Sequence, residues 1–347
     1  MRADEIVRRG CGERYTGAVL RIECGGALVF ERAYGTLDDS PGARDVEPTT
    51  RFDLASLTKV YVATAALRAV ADGTLALDAP VAASLGEWRR TLHARVTLRM
   101  LLAHTAGLQS GADFRTLFDE RVETYALARP LVTTPGERVV YSDLGFIALG
   151  VLLSRAHRRS LAAVVAGTLA ALKCSETGFR ARNDAAAAIP ATEEEPWRGR
   201  VRGAVHDEKA FLMHGVAGHA GLFGTARDVA RLAAVFLAAA RGRRCRGLPE
   251  DLARAAIAEH GADAVLRRGL GWALKTSDRN SCGAAMHRST FGHTGFTGTS
   301  VWADPVRDLC VVLLTNAVYF GRRDLRDLRA AVCDAAAQEY ATCARSA

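Results

Sequence analysis

The sequence predicts an α+β protein: one antiparallel sheet flanked by N- and C-terminal helices, with an all-helical domain inserted between the strands. Three observations carry this. Alternating apolar segments lie near the two ends of the chain. The long middle stretch instead repeats its apolar residues at three and four. Short helical stretches open and close the chain. At 347 residues the chain exceeds one ordinary domain. It reads as a single unit over 1–347, with a sheet lobe from 1–58 and 265–347 and a mainly helical lobe from 59–264.

Residues 2–10 form a candidate helix, and "TGAVLRIEC" and "ALVFERAYG" are two strands about a Gly25-Gly26 hairpin. From Ser56 the pattern turns helical, with Leu57, Val60, Tyr61, Thr64 and Leu67 on one face and Gly73 to end the run. "VTLRMLLAHTAGL" reads as a short helix and "YSDLGFIALGVLLSRAH" as a longer one. "TARDVARLAAVFLAAARG" starts on a Thr225 cap and keeps one apolar face. Strand signals return in "GLGWALKT", "AAMHRSTFGHTG" and "GTSVWADPVRDLCVVLLTN", the last with a turn at Asp304-Pro305. "RRDLRDLRAAVCDAAAQEY" is the closing helix. The stretch 183–210, with mixed charge and two prolines, predicts a long loop over a cleft between the lobes.

Composition narrows the function. Hydrophobic residues are 49% and charged residues 24%, enough for a sizeable core. The net charge of +8 comes from scattered arginine doublets, without the aromatic-interleaved basic run of a single-strand binder, so nucleic acid is not the expected partner. No stretch of 18 apolar residues spans a membrane, and no signal-peptide pattern follows the first basic residues, which predicts a cytoplasmic address. The eight cysteines lack any C-x-x-C pair and read as small apolar fillers rather than zinc ligands.

The chemistry concentrates in "FDLASLTKVYVATAALRAVADG". Ser56 and Lys59 stand three apart where a helix begins, so both share one face, and the helix start offers free N–H groups to a developing oxyanion. A serine hydroxyl attacks only when a base takes its proton. A lysine can do so only when neutral, which near pH 7 costs about 4 kcal/mol of environment. Two further elements follow: Tyr141, Ser142 and Asp143 in "VVYSDLGF", and His293, Thr294 and Gly295 in "FGHTGFTGTSVW".

S-x-x-K, then Y-x-[ND], then a [KH]-T-G triplet resembles the serine β-lactamase and penicillin-binding protein superfamily, in the branch with class C β-lactamases, D,D-peptidases and related esterases. "LLAHTAGL", "PGERVVYSDLGFIALG" and "AGLFGTARDVARL" are similar to that branch's phrases, in order, from about Thr16 onward. The resemblance implies a β-lactamase/transpeptidase-like fold and hydrolysis through an acyl-serine, with no metal and no cofactor. It implies Ser56 as nucleophile, with Lys59 and Tyr141 handling protons. His293 and Thr294 would form a cleft wall on an edge strand, and the N–H groups of Ser56 and Phe296 the oxyanion hole. Gly295 would let substrate approach the strand closely.

Two departures matter. Asp143 replaces the familiar asparagine, and a carboxylate near Lys59 favours the ammonium form. His293 replaces the familiar lysine, exchanging a fixed cation for a switchable one. The reading is that the changes compensate: His293 or a neighbouring cation balances Asp143, leaving Lys59 able to deprotonate. Losing the lysine also weakens the case for a substrate carboxylate held beside it, as in penicillins and D-Ala-D-Ala peptides, and so argues against potent β-lactamase activity.

His206, Asp207, His214 and His219 cluster within fourteen residues but match no zinc spacing, so hydrogen-bonded packing is favoured. The string is similar to a subgroup with cell-wall-recycling amidases, where His206, Asp207 and His219 would border the cleft. His104 reads as a structural hydrogen-bonder, and Trp272 and Trp302 as core or cleft wall. The expected substrate is a small molecule or peptide-like: a cell-wall peptide or muropeptide fragment first, a small carboxylic ester second. A non-catalytic binding or sensor relative is the rival class, disfavoured because a binder has no use for serine, lysine and tyrosine together.

Overall fold

The computed structural model describes residues 1–179, 188–262, 267–277 and 279–341. Along the chain, α1 (Arg2–Gly10) leads into β1 (Gly17–Cys24), β2 (Ala27–Gly35) and β3 (Phe52–Asp53). The helical block follows as α2 (Thr58–Ala71), α3 (Leu98–Leu102), α4 (Val122–Ala128), α5 (Asp143–His157) and α6 (Leu161–Leu172). Then come β4 (Gly178–Phe179), β5 (Glu193–Glu195), β6 (Gly199–Val201), α7 (Glu208–Leu212), β7 (Leu222–Gly224), α8 (Ala226–Ala240) and α9 (Glu250–Ala256). The chain closes with β8 (Gly261–Ala262), β9 (Arg267–Arg268), β10 (Ala273–Leu274), β11 (Phe291–Thr294), β12 (Ser300–Asp304), β13 (Leu309–Thr315) and α10 (Arg326–Glu339).

Early and late strands meet in one eight-stranded antiparallel sheet, ordered β2-β1-β13-β12-β11-β10-β9-β8. The β1–β2 hairpin turns on Gly25 and Gly26, both at positive φ (62° and 79°), where a side chain would be strained. β13 is buried at every position, and alternate residues serve opposite faces. Cys310, Val312 and Leu314 join the large core of the helical block, while Leu309, Val311 and Leu313 join the core under α1 and α10. Helices on both faces explain why this strand is apolar throughout rather than alternating.

Side-chain caps start the helices where the sequence offers them. Ser142 Oγ accepts from the Gly145 N–H at 2.9 Å to open α5, and Thr225 Oγ1 accepts from Asp228 N–H at 3.3 Å to open α8. The second helix begins at Thr58 rather than Ser56, because residues 55–57 form a tighter 3-10 turn. α6 carries no periodic signal in the sequence, because "LAAVVAGTLAAL" has no polar face to mark its turns.

Two expectations need correction. The late strands before residue 300 are much shorter than their alternation suggests, since Trp272 leaves the strand pattern to pack edge-on against Phe236 and Phe291, each at 5.0 Å. The stretch 183–210 is not one long loop in its described part: β5 and β6 pair as a hairpin and α7 begins at Glu208. Residues 183–187 lie outside the described residues. No helix among the described residues is long and apolar enough to cross a membrane.

Candidate active site

The serine sits where three pieces of chain converge. Ala55, just before it, holds φ at +45°, an uncommon conformation for a residue with a Cβ. The buried Asp53 fixes this turn: its Oδ1 accepts from Ala55 N–H at 2.8 Å and its Oδ2 from His206 N–H at 2.7 Å. From the other side, Thr297 Oγ1 donates to Asp53 O at 2.8 Å and Thr299 Oγ1 to Leu54 O at 3.2 Å. The β11–β12 turn is thus tied directly to the serine turn. Gly295 belongs to this seam, since a Cβ there would lie 2.8 Å from Leu54 O and 2.1 Å from Thr299 Oγ1. The glycine serves the approach of strand to turn, a closer constraint than access for substrate.

Ser56 and Tyr141 open onto a cleft of about 1020 Å³, with His293, Thr294, Gly295 and Phe296 on its wall. β11 is an interior strand of the sheet. Its neighbour β10 pairs only with Phe291 and Gly292, so His293 and Thr294 extend past the end of β10 and present a local edge. Phe296 is exposed at the mouth and stacks on the His206 ring at 5.7 Å. Trp302 lines the cleft while Trp272 is core.

Lys59 is fully buried one turn beyond the serine. Its Nζ donates to Ser56 Oγ at 2.9 Å and to His219 O at 3.1 Å, and lies 2.8 Å from Asp143 Oδ1. These acceptors suit an ammonium, which has three protons to give and no lone pair to receive one. Burial pushes the amine down, but Asp143 and the Tyr141 phenol outweigh it and hold Lys59 above its ordinary range. The expectation of a lysine stripped of its proton is therefore corrected: in the resting site it is a cation.

His293 is corrected as well. Burial first, then the nearby Arg268 and Lys59, push it down to about 3, so it is neutral at pH 7 and does not switch there. Its Nδ1 donates to Thr294 O at 2.9 Å. The cation that meets Asp143 from the far side is Lys209, whose Nζ lies 3.4 Å from Asp143 Oδ2 and 3.0 Å from Asp207 Oδ2.

Tyr141 is hemmed in by charge and rings. Lys59 Nζ and the Arg268 guanidinium each lie 5.0 Å from its ring centre, and His104 packs on it at 4.6 Å. His104 is the hydrogen-bonder expected: its Nδ1 accepts from Ser142 N–H at 3.0 Å, and burial holds it well below its usual pKa. It thereby fixes the segment carrying Tyr141 and Asp143.

The histidine-rich string divides. His219 Nε2 meets Asp207 Oδ1 at 2.8 Å directly behind the catalytic candidates. His206 turns away to Glu193, at 2.6 Å. Asp143, Asp207 and His219 bring potential ligand atoms within 4.8 Å of one another, but both carboxylates there already face lysine ammonium groups. None of His206, Asp207 or His219 lines the cleft itself; His206 reaches it only through Phe296. Sequence reasoning missed Lys209 and Arg268. Lys209 stands two residues after Asp207 in "HDEK" (206–209), while Arg268 stands in a doublet with nothing local to distinguish it.

A family model described as "Beta-lactamase" matches residues 3–335. Among characterised proteins, "Esterase EstB" of Burkholderia gladioli is 33% identical, covering 92% of this chain and 91% of its own. "N-acetylmuramyl-L-alanine amidase" of Bacillus subtilis (strain 168) is 30% identical over 91% of this chain and 80% of its own. Among solved structures, a class C beta lactamase superposes with a TM-score of 0.79 at 17% identity, covering 97% of this chain and 96% of that one. EstCE1, "a hydrolase with promiscuous acyltransferase activity", gives 0.77 at 22%, covering 96% and 97%. The sheet, its flanking helices and the helical block are the β-lactamase/transpeptidase fold, and the chain belongs to the β-lactamase family of serine hydrolases.

Proposed function

We propose that the protein cleaves an amide or ester of a carboxylate-bearing, peptide-like substrate, such as a cell-wall peptide or muropeptide fragment, through an acyl intermediate on Ser56. The observation that carries the acyl-serine chemistry is the 2.9 Å contact from Lys59 Nζ to Ser56 Oγ at the base of a cleft shared with Tyr141. As Ser56 attacks the carbonyl carbon, its proton passes to Tyr141 acting as the phenolate, whose negative charge the two flanking cations stabilise until the proton arrives. The N–H groups of Ser56 and Phe296 receive the oxyanion. Tyr141 then protonates the leaving group, and water repeats the sequence in reverse roles to free the acid. Lys59 acts as a donor that holds the hydroxyl and the phenol in place.

The substrate class rests on charge. Arg268, Arg279, Arg322, Arg323, Arg326 and Arg329 line the cleft against a single acid, Asp324. Arg322 is already shared with Glu193, Glu195 and Glu208, and Arg326 with Asp324, but a lining of six arginines to one acid supports an anionic substrate. The similarity to an N-acetylmuramyl-L-alanine amidase supports the same reading. The similarity to EstB favours a second reading, a small carboxylic ester. Intact mass after a fluorophosphonate, with Ser56→Ala as control, tests the nucleophile. Turnover of muropeptides against p-nitrophenyl esters separates the substrates. Ester turnover with no muropeptide cleavage would favour the second reading, and no adduct at Ser56 would defeat both.

Asp143→Asn probes the proton chemistry. Removing the carboxylate leaves burial to push Lys59 down. Its neighbours then release protons more readily, and the acid limb of kcat/KM is expected at lower pH, by about one unit or more. An unchanged pH profile would show that Asp143 has no hold on the reacting proton.

A further inference from the structure

Behind the serine lies a ring of alternating charge that the chemistry above leaves largely unused. Lys59 Nζ meets Asp143 Oδ1 at 2.8 Å, and Asp143 Oδ2 lies 3.4 Å from Lys209 Nζ. Lys209 Nζ meets Asp207 Oδ2 at 3.0 Å, and Asp207 Oδ1 meets His219 Nε2 at 2.8 Å. The carbonyl of that same His219 accepts from Lys59 at 3.1 Å, which closes the ring. Asp207 Oδ1 also caps α7 through the Ala210 N–H at 2.8 Å, so Lys209 is anchored on a fixed helix. Both lysines are buried. Resting on the acyl-Ser56 reading, we propose that Lys209 is a positioning residue for the reaction: it engages one oxygen of Asp143, so that the other oxygen alone holds Lys59 beside Ser56.

The physical need is plain. A buried carboxylate with one lysine would give that lysine its whole charge, and Coulomb attraction at such short range in a poorly solvated site is strong. Lys59 would be drawn toward Asp143 and away from the serine. A second cation on the far oxygen divides the field. It also repels a further proton from the Lys59–Tyr141 pair. The groups that set this balance come from several elements. Facing Lys59 are Asp143, Tyr141, the neutral His104 and His293, and Arg268 beyond them. Facing Lys209 are Asp143, Asp207 and, through Asp207, His219. Glu208, next to Lys209, turns to Arg322.

The sign follows. Removing the Lys209 cation favours the protonated form of its neighbours, so the base form needs a higher pH. Lys209→Met in the full chain is expected to move the acid limb of Ser56 acylation up by about one pH unit, a tenfold loss of rate at a pH on that limb. The readout is the rate of fluorophosphonate labelling by intact mass between pH 5 and about 10, with p-nitrophenyl ester turnover beside it. Lys209→Arg should restore the wild-type limb. In an Asp143→Asn background, Lys209→Met should shift the limb by less than half as much, because the shared carboxylate is gone. If Lys209→Met does not fold, Lys209→Gln makes the same comparison, keeping a donor without the charge. A limb that stays put in a folded Lys209→Met or Lys209→Gln protein overturns the proposal, as does an equal shift with and without Asp143. Failure of the wild type to label at Ser56 would instead defeat the acyl-serine reading itself.

Discussion

Ser56→Ala should take no covalent label from a fluorophosphonate and should lose at least about 10³-fold in kcat on any ester or amide the wild type turns over. The change is small in the fold. Ser56 is half-buried in a turn held by Asp53, Thr297 and Thr299, none of which depends on the hydroxyl. The melting temperature is therefore expected to stay within a few degrees of wild type. Activity and stability separate cleanly, and this makes the variant decisive. Residual turnover close to wild type in Ser56→Ala would place the nucleophile elsewhere.

Lys59→Met is expected to lower kcat/KM by about 10²- to 10⁴-fold, and here stability should fall too. Methionine fills a similar volume but gives nothing to Ser56 Oγ, His219 O or Asp143. Breaking a buried pair by removing one partner commonly costs about 3–5 kcal/mol, because the remaining charge is stranded. Asp143 is not wholly stranded, since Lys209 still lies 3.4 Å from its other oxygen. The expected loss is accordingly smaller, about 1–3 kcal/mol by urea unfolding. Combining it with Asp143→Asn removes the stranded charge and should recover much of that stability without recovering activity. A Lys59→Met protein within tenfold of wild-type kcat/KM would mean that the amine does not organise the proton transfer.

The two substitutions that depart from the familiar motifs, Asp143 and His293, show how far a linear reading reaches. That a carboxylate near Lys59 would favour the ammonium was clear from residue types alone, and the structure holds the amine in that state. Of the two compensating groups expected, His293 or a neighbouring cation, the structure rules out the first and supplies the second as Lys209. His293 is nearby but so enclosed that its charged form is unaffordable at neutral pH. Lys209, some sixty-six positions from Asp143 in the chain, arrives through α7, a helix of five residues with no periodic signal. Local patterns could mark the string "HDEK" as unusual, but not which of its four side chains would share Asp143 with Lys59.

Gly295 illustrates the same limit. Its place in a T-G pair suggested close approach by something, and the close neighbours turn out to be Leu54 O and Thr299 Oγ1. The edge character of His293 and Thr294 likewise depends on how late β10 begins, at Ala273 opposite Gly292, with the preceding Trp272 packed into the core, which the alternation in "GLGWALKT" does not show.

Taken by itself, the order of residues determined the family, the antiparallel sheet built from both chain ends, and the serine, lysine and tyrosine in sequence, because motif spacing and apolar periodicity are properties of short stretches. Only the tertiary structure decided which charges face one another: Lys59 against Asp143, Lys209 sharing it, His293 silenced. The reason is that protonation answers to burial and to distances of a few ångströms between segments far apart in the chain, and neither exists until the chain has folded.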